Sequence, residues 1–177
     1  MNKNIFFIGP ASVGKTTIGR LLAEEIEWAH IDVDKEFCEQ IALIPDYIQK
    51  YSYAGYAEAN SQLVDRLIEV HPENTVFSTT SGYLVHEDSS HLIEKHLDLI
   101  RRGVSILLLP SENPQVGVEV VVRRQLDRWN DTFADKERRR FLSRFEKYKN
   151  YGDIKIFSMA ETELVVKTII KKLEGFI

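Results

Sequence analysis

The chain has 177 residues, 44% of them hydrophobic and 28% charged, a composition typical of one soluble globular domain. Its net charge of −4 argues against a nucleic-acid-binding protein, because such a protein needs a broad basic surface. A single cysteine excludes an intramolecular disulfide bond and fits a reducing compartment. The sequence shows neither a charged-then-apolar leader nor an apolar run of about 18 residues. We therefore expect a cytoplasmic protein with no nucleic-acid or membrane partner.

Short apolar runs alternate with helical patterns along the chain. The runs predict buried strands at about 4–8, 28–32, 75–79, 104–109 and 154–157. Helical spacing predicts helices after the first strand, over 34–50, 55–70, 87–102 and 115–150, and at the end of the chain. This alternation is typical of βαβ units. It predicts an α/β fold, a five-stranded parallel sheet flanked by helices, in one domain over 1–177.

A glycine-bounded loop at 9–16 follows the first strand directly and reads Gly-Pro-Ala-Ser-Val-Gly-Lys-Thr. Between a strand and a helix, such a loop directs its amides and the helix N-terminus toward one anion. It predicts a P-loop NTPase fold, similar to that of the nucleoside-monophosphate kinases, with ATP as the default nucleotide. Lys15 is expected to reach the β- and γ-phosphates, and Thr16 to bind Mg²⁺. The predicted nucleotide-binding residues are Gly9, Ala11, Ser12, Val13, Gly14, Lys15, Thr16 and Thr17.

Two acids, Asp32 and Asp34, follow the second predicted strand. If the strand continues through them, both carboxylates point to the same side and face the phosphate loop. One acid would then contribute to the metal shell, and the other would orient or deprotonate a substrate hydroxyl. The alternative is that either acid only caps the helix that begins at Lys35.

Together the loop, the acid pair and the short chain resemble shikimate kinase and its relatives among the small P-loop kinases. The resemblance covers nearly the whole sequence. It implies ATP and Mg²⁺ as cofactors, a substrate-binding region at about 33–70 and a lid at about 112–140. It also implies that Asp32 reaches Mg²⁺ through water and that Asp34 contacts the acceptor hydroxyl as the catalytic base.

Two arginines match basic positions of that family. Arg144 lies in Arg-Phe-Glu-Lys-Tyr, which is similar to the family's Arg-x-x-x-Tyr segment, whose arginine holds the substrate carboxylate. Arg128 lies near the place of the lid arginine that closes on the phosphates, and the resemblance implies a catalytic role for it. Arginine suits this work because it stabilises phosphoryl charge without losing a proton. The segment 123–144 holds seven arginines, most of which we expect on a solvated helix face.

The sequence departs from the family pattern at two places. The family's Phe-Arg pair, whose arginine binds the acceptor carboxylate, is matched here by Ala59 and Asn60, so that arginine is missing. Of the family's three glycines after the third strand only Gly82 is kept, behind a run of hydroxyl side chains. We expect Asn60 and Gly82 in the substrate site. The hydroxyls suit a polyol or another polar acceptor, or alternatively place Ser78 in the metal shell.

Four tyrosines lie close together in the predicted substrate region, near Pro45 and Gly55, at positions 47, 51, 53 and 56. They form either an amphipathic wall for a ring-shaped substrate or the ordinary packing of a small helical layer. Glu58 is either a polar contact in place of the missing arginine or a surface charge. We expect surface or packing roles for all five histidines.

These patterns predict an ATP-dependent kinase that transfers a phosphoryl group to a hydroxyl of a small metabolite, with shikimate as the leading acceptor. Another polyol, a sugar acid, a cyclitol or a nucleoside is the alternative acceptor. A different class is a non-catalytic protein that binds ATP and signals by lid closure. The acceptor-side acid Asp34 favours catalysis, because a sensor needs no such group. We expect a monomer or a weak dimer.

Overall fold

A computed structural model of the chain describes residues 3–86, 90–126 and 134–176. The strands are β1 (Ile5–Ile8), β2 (Ala29–Asp32), β3 (Thr75–Ser78), β4 (Val104–Leu109) and β5 (Ile154–Phe157). The helices are α1 (Lys15–Glu25), α2 (Val33–Gln40), α3 (Ile44–Val70), α4 (Ser90–Ile100), α5 (Pro114–Leu126), α6 (Ala134–Tyr148) and α7 (Thr162–Leu173). The predicted strands therefore agree with the structure to within one residue at each end.

The strands form one sheet in the order β2-β3-β1-β4-β5, and every neighbouring pair is parallel. The predicted five-stranded parallel sheet with flanking helices is confirmed. Parallel strands bring their carboxyl ends to one edge of a sheet. The connection that leaves β1 runs toward β2, whereas the connections that leave its neighbours β3 and β4 run toward β5, so the strand order reverses beside β1. The loop after β1, the acids at and just after the end of β2 and the hydroxyl-rich segment after β3 consequently meet at this edge.

Apolar side chains fill the sheet because helices cover both of its faces. All four residues of β1 and all six of β4 are buried. Helix α1 packs against β3 and α7, with Leu22 and Ile169 fully buried. This rigid central layer fixes the position of the phosphate loop relative to the ends of β2 and β3.

The predicted substrate region folds differently from its sequence pattern. Helix α2 ends at Gln40, and α3 begins at Ile44 with Pro45 in its first turn, where a missing amide hydrogen is tolerated. Helix α3 then crosses the predicted gap between 50 and 55, but with a kink at Ser52, whose φ of 69° and ψ of 168° are not helical. The break predicted there is thus a kink within one long helix.

The helical region predicted over 115–150 comprises two helices, α5 and α6, whose side chains pack against each other. The range predicted for the lid, 112–140, includes α5 and the first two turns of α6. Its part at 127–133 lies outside the described residues. None of the described helices combines the length and the hydropathy that a transmembrane span requires.

Candidate active site

The loop between β1 and α1 has the backbone shape that its motif predicts. Gly9 and Gly14 have φ values of 139° and 101°, which residues with side chains rarely adopt. Lys15 begins α1 and is only 9% exposed. Its Nζ donates hydrogen bonds to the carbonyl oxygens of Gly9 at 2.9 Å and Pro10 at 2.8 Å. The ammonium therefore lies inside the loop, at the helix end that stabilises an anion.

Burial changes the acid–base chemistry of this lysine. Desolvation lowers the pKa of Lys15 from its ordinary value of 10.5 to about 8, because the charged form loses its hydration. The carboxylates of Asp34 and Asp32 oppose the shift, and the guanidinium of Arg144 adds to it. The charges of Asp34, Asp32 and Arg144 therefore all act on the protonation of Lys15.

Thr16 and Asp32 bring two oxygen ligands together beside the loop. The Thr16 hydroxyl donates to Asp32 Oδ2 at 2.5 Å. The other carboxylate oxygen, Oδ1, accepts a hydrogen bond from the backbone N–H of Lys35 at 3.0 Å and so caps α2. Both interpretations of Asp32 are therefore compatible, because capping uses only one of its oxygens. A hydroxyl and a carboxylate are the hard oxygen donors that Mg²⁺ prefers, so these residues fit the metal implied by the motif.

The strand does not continue through both acids, so they do not share a strand face, and the capping alternative holds for Asp32. Strand β2 ends at Asp32 and α2 begins at Val33, because the Asp32 cap starts the helix immediately. Asp34 lies in the first turn of α2, and its Oδ1 accepts a hydrogen bond from the Tyr56 hydroxyl at 3.2 Å. Desolvation raises the pKa of Asp34 above its ordinary value, and the Lys15 charge limits that rise.

A cavity of about 600 Å³ lies over the phosphate loop. Its lining includes every predicted nucleotide-binding residue from Ala11 to Thr17, together with Asp32 and Asp34. Gly9 lies beneath them, where its carbonyl oxygen accepts from Lys15. The cavity also contains Arg124, whose Nη1 donates to the Ser12 carbonyl oxygen at 3.2 Å. The sequence analysis did not single out Arg124 among the arginines of its segment.

A second cavity, of about 740 Å³, adjoins the first, and Asp34 lines both. Of the other predicted substrate-binding residues, Gly82 and Arg144 line the second cavity. Asn60 does not: it is 3% exposed, and its Nδ2 has no hydrogen-bond partner among the described residues. Helix α3 instead presents other residues to this cavity, namely Ile44, Pro45, Ile48, Tyr53 and Tyr56.

Arg144 projects from α6 into the second cavity and joins two of its walls. Its Nη1 donates to the Ser81 hydroxyl at 2.8 Å, and its Nη2 donates to the Tyr53 hydroxyl at 3.3 Å. One turn later, the Tyr148 hydroxyl donates to the Ser81 carbonyl oxygen at 3.3 Å. The Arg-x-x-x-Tyr segment therefore fixes the chain after β3, and both described partners of the Arg144 guanidinium are neutral oxygens.

The kink at Ser52 coincides with the entry of Tyr53 into this cavity. The Tyr53 hydroxyl lies so close to Gly82 that a Cβ atom built there would be 2.1 Å from it. A side chain at this position would displace the tyrosine, which gives a physical reason for the glycine. A non-glycine residue with the backbone angles of Ser52 is strained, and such strain is commonly found beside functional sites.

Ser78 and Glu58 line neither described cavity. The Ser78 hydroxyl donates to the Lys15 carbonyl oxygen at 3.1 Å and lies 3.0 Å from His30 Nε2. It therefore links β3 to the first turn of α1 and to β2. Glu58 is a surface residue, with its Oε1 2.7 Å from His91 Nε2. Arg128, the predicted lid arginine, lies outside the described residues.

The four tyrosines divide between the two interpretations. Tyr53 and Tyr56 line the second cavity. Tyr47 packs edge-on against Phe37, with ring centroids 5.2 Å apart, and Tyr51 lies against Tyr47 at 4.6 Å with about half of its surface exposed. One pair thus forms a cavity wall and the other belongs to ordinary packing.

The lowered pKa of Lys15 predicts pH-dependent nucleotide binding. Below about pH 8 the free protein carries the ammonium, and above it the charge is lost, so ATP affinity should fall as the pH rises. We expect the Kd for ATP to increase up to about tenfold per pH unit above that point. Calorimetric titration of ATP at a series of pH values measures this. A Lys15→Arg variant, whose guanidinium keeps its proton, should lack the increase; a wild-type protein without it would contradict the prediction.

Comparison with known proteins identifies the relatives of this chain. A model of the shikimate kinase family matches residues 11–174. Shikimate kinase from Enterococcus faecalis is 35% identical over 99 residues, which are 55% of this chain and 57% of that protein. The crystal structure of shikimate kinase from Aquifex aeolicus has a TM-score of 0.68 at 29% identity and covers 97% of this chain and 96% of its own. Shikimate kinase from Acinetobacter baumannii in complex with shikimate has a TM-score of 0.81 at 21% identity, covering 99% and 94%.

Proposed function

Because the chain belongs to the shikimate kinase family, we propose that it phosphorylates a hydroxyl of a small anionic polyol and that shikimate is its acceptor. ATP-dependent phosphoryl transfer to a small metabolite is the activity of this family, with ATP and Mg²⁺ as cofactors. The observation that carries the proposal is the position of Asp34, whose side chain lines both cavities at their junction. We also place the protein in the cytoplasm, as a monomer or weak dimer.

The first cavity supplies the nucleotide half of the reaction. Lys15 and the loop amides hold the phosphates, and Arg124 lies beside the loop at Ser12. Thr16 and Asp32 would hold Mg²⁺, which offsets the negative charge that develops on the phosphoryl group. Arg128 is our proposal for an additional cation contributed by the lid.

The second cavity supplies the acceptor half. Asp34 accepts the proton of the acceptor hydroxyl as that oxygen forms a bond to the γ-phosphorus. The bond from this phosphorus to the β-phosphate oxygen breaks, and ADP leaves with the electron pair. Arg144 binds the acceptor's negative group at the other side of the cavity, since its guanidinium there meets only neutral oxygens of Ser81 and Tyr53 among the described residues.

Acceptor-dependent ADP release tests the proposal. With ATP and Mg²⁺ present, we expect shikimate to accelerate ADP release at least about 100-fold over the rate without an acceptor, because positioning and base catalysis both require a bound hydroxyl. Neutral cyclic polyols serve as the matched controls and should give little acceleration, since they offer Arg144 no charge. A protein that binds ATP tightly but is not accelerated by shikimate would contradict this acceptor. Acceleration by a neutral polyol alone would support the alternative acceptor class.

A further inference from the structure

We propose that Arg140, one helical turn before Arg144, is a second anion-binding residue of the acceptor cavity and determines its preference for a carboxylate. The acceptor's carboxylate then lies between two guanidinium groups of α6. The inference rests on the proposed function in one respect, which is that the acceptor carries an anionic group. It assigns the charge recognition to a residue that no sequence motif indicates.

The opposite wall of the cavity provides no positive charge. Helix α3 lies entirely within the described part of the chain, and the residues that it contributes to the lining are aliphatic, aromatic or proline. Asn60, the position matched to the family's missing arginine, is buried away from the cavity. Among the described residues that line this cavity, the positively charged side chains all belong to α6, namely Lys136, Arg140 and Arg144.

Arg144 on its own is partly engaged. Each of its terminal nitrogens already donates one hydrogen bond, to Ser81 and to Tyr53. One hydrogen on each nitrogen remains for a ligand, so Arg144 can bind a carboxylate but offers a single positive charge. A second guanidinium would supply additional charge-assisted hydrogen bonds to the same group.

Arg140 has the position that such a partner requires. Residues 137, 140 and 144 are spaced at three and four and lie on one face of α6, and all three line the acceptor cavity. The rotation of the helix is fixed by Phe141, which is 2% exposed and packs against Gly117 of α5. Arg140 and Arg144 also border the same small crevice beside Pro10 and Ala11. The two arginines therefore border the same two spaces.

Glu137 holds Arg140 in this place. The Arg140 Nη1 donates to Glu137 Oε1 at 2.7 Å, and the glutamate side chain is only 13% exposed. A guanidinium has five N–H donors, so this pairing leaves others for a ligand. Because the partner carboxylate restricts the arginine before the acceptor binds, less conformational entropy is lost on binding.

Steady-state kinetics with two acceptors tests the assignment. Shikimate and its methyl ester have the same ring and hydroxyls, but only the acid carries a charge. We expect Arg140→Gln to raise the KM for shikimate about tenfold to thirtyfold, as expected for loss of one partly exposed charge contact. The KM for the ester, the KM for ATP and kcat should stay within about twofold. Arg140→Lys should restore part of the shikimate affinity, because it keeps the charge but not the planar fork.

Arg139 provides the matched control, since it is the exposed neighbour of Arg140 on a different face of α6. Arg139→Gln should leave all of these constants unchanged. If wild-type protein is active with shikimate and Arg140→Gln has an unchanged KM, or weakens both acceptors equally, the inference is overturned and the proposed function stands. Wild-type protein that neither binds nor phosphorylates shikimate overturns both.

Discussion

Replacing Asp34 by asparagine is expected to lower kcat about 100-fold to 10,000-fold while leaving the affinity for ATP within about threefold of wild type. An amide cannot accept the proton of the acceptor hydroxyl at neutral pH, although it keeps nearly the same shape. Asp34 contacts no residue of the phosphate loop through a described hydrogen bond; its described partner is the Tyr56 hydroxyl. The loss should therefore appear in turnover rather than in nucleotide binding.

The matched control for this substitution is Asp46→Asn. Asp46 lies in the first turn of α3, as Asp34 lies in the first turn of α2, so both substitutions remove a charge that favours a helix N-terminus. Asp46 is exposed and lines neither described cavity. Its variant should keep wild-type kinetics. Single-turnover measurement of ADP formation, with calorimetric titration of ATP, compares the two variants directly.

Retained acceptor-dependent turnover in Asp34→Asn would show that another group removes the proton. Loss of turnover together with loss of ATP binding would instead place Asp34 in the nucleotide site. Only the separation of the two measurements supports a base at the junction of the cavities. That separation also distinguishes a kinase from a non-catalytic nucleotide-binding protein, because the latter has no acceptor-dependent turnover to lose.

The parts of this site that the sequence predicts are those that depend on residues close together in the chain. Between a buried strand and an amphipathic helix, the loop at 9–16 needs little tertiary information, and its geometry agrees with the motif. Asp32 at the end of β2 and Asp34 just after it reach the same cavity because parallel strands end at one edge of the sheet. The strand ends at Asp32, as predicted, and the capping role that the sequence left as an alternative for this residue is observed.

Residues on long helices were harder to place. A shift of one position along a helix rotates a side chain by about 100°, so a match between sequences that is correct to within a few residues can select the wrong face. Asn60 illustrates this, because the same helix directs Tyr56 rather than Asn60 to the cavity. The entry of Tyr53 depends in addition on the kink at Ser52, which no propensity indicates.

Arg124 and Arg140 are the reverse case, because the structure places both at a cavity although the sequence did not single them out. Their segment is so rich in arginine that composition alone favours a solvated helix face, which holds for Arg123 and Arg139. Only the packing of α5 against α6, fixed by buried side chains such as Phe141, decides which arginines face a cavity. A helical-face analysis of that segment, anchored on its buried residues, would have separated the two groups.

The second large effect is expected at Lys15. We predict that Lys15→Met lowers kcat/KM for ATP at least about 1,000-fold, because it removes the buried ammonium that faces the phosphates and leaves their charge uncompensated. The substitution acts on the acid as well. Since the Lys15 charge lowers the pKa of Asp34, its removal should raise that pKa further and leave less of the base ionised at a given pH.

Stability provides the control that separates this electrostatic role from a structural one. A methionine at this position avoids the desolvation that lowers the lysine pKa, so the variant's free energy of unfolding should equal or exceed that of wild type, although it loses the hydrogen bonds to Gly9 and Pro10. Lys35→Met, at an exposed lysine of α2, should change neither property. Denaturant unfolding and ATP titration of both variants measure the two effects independently. If Lys15→Met unfolded much more easily than wild type, the lysine would be holding the loop together; if it bound and hydrolysed ATP normally, the phosphates would lie elsewhere.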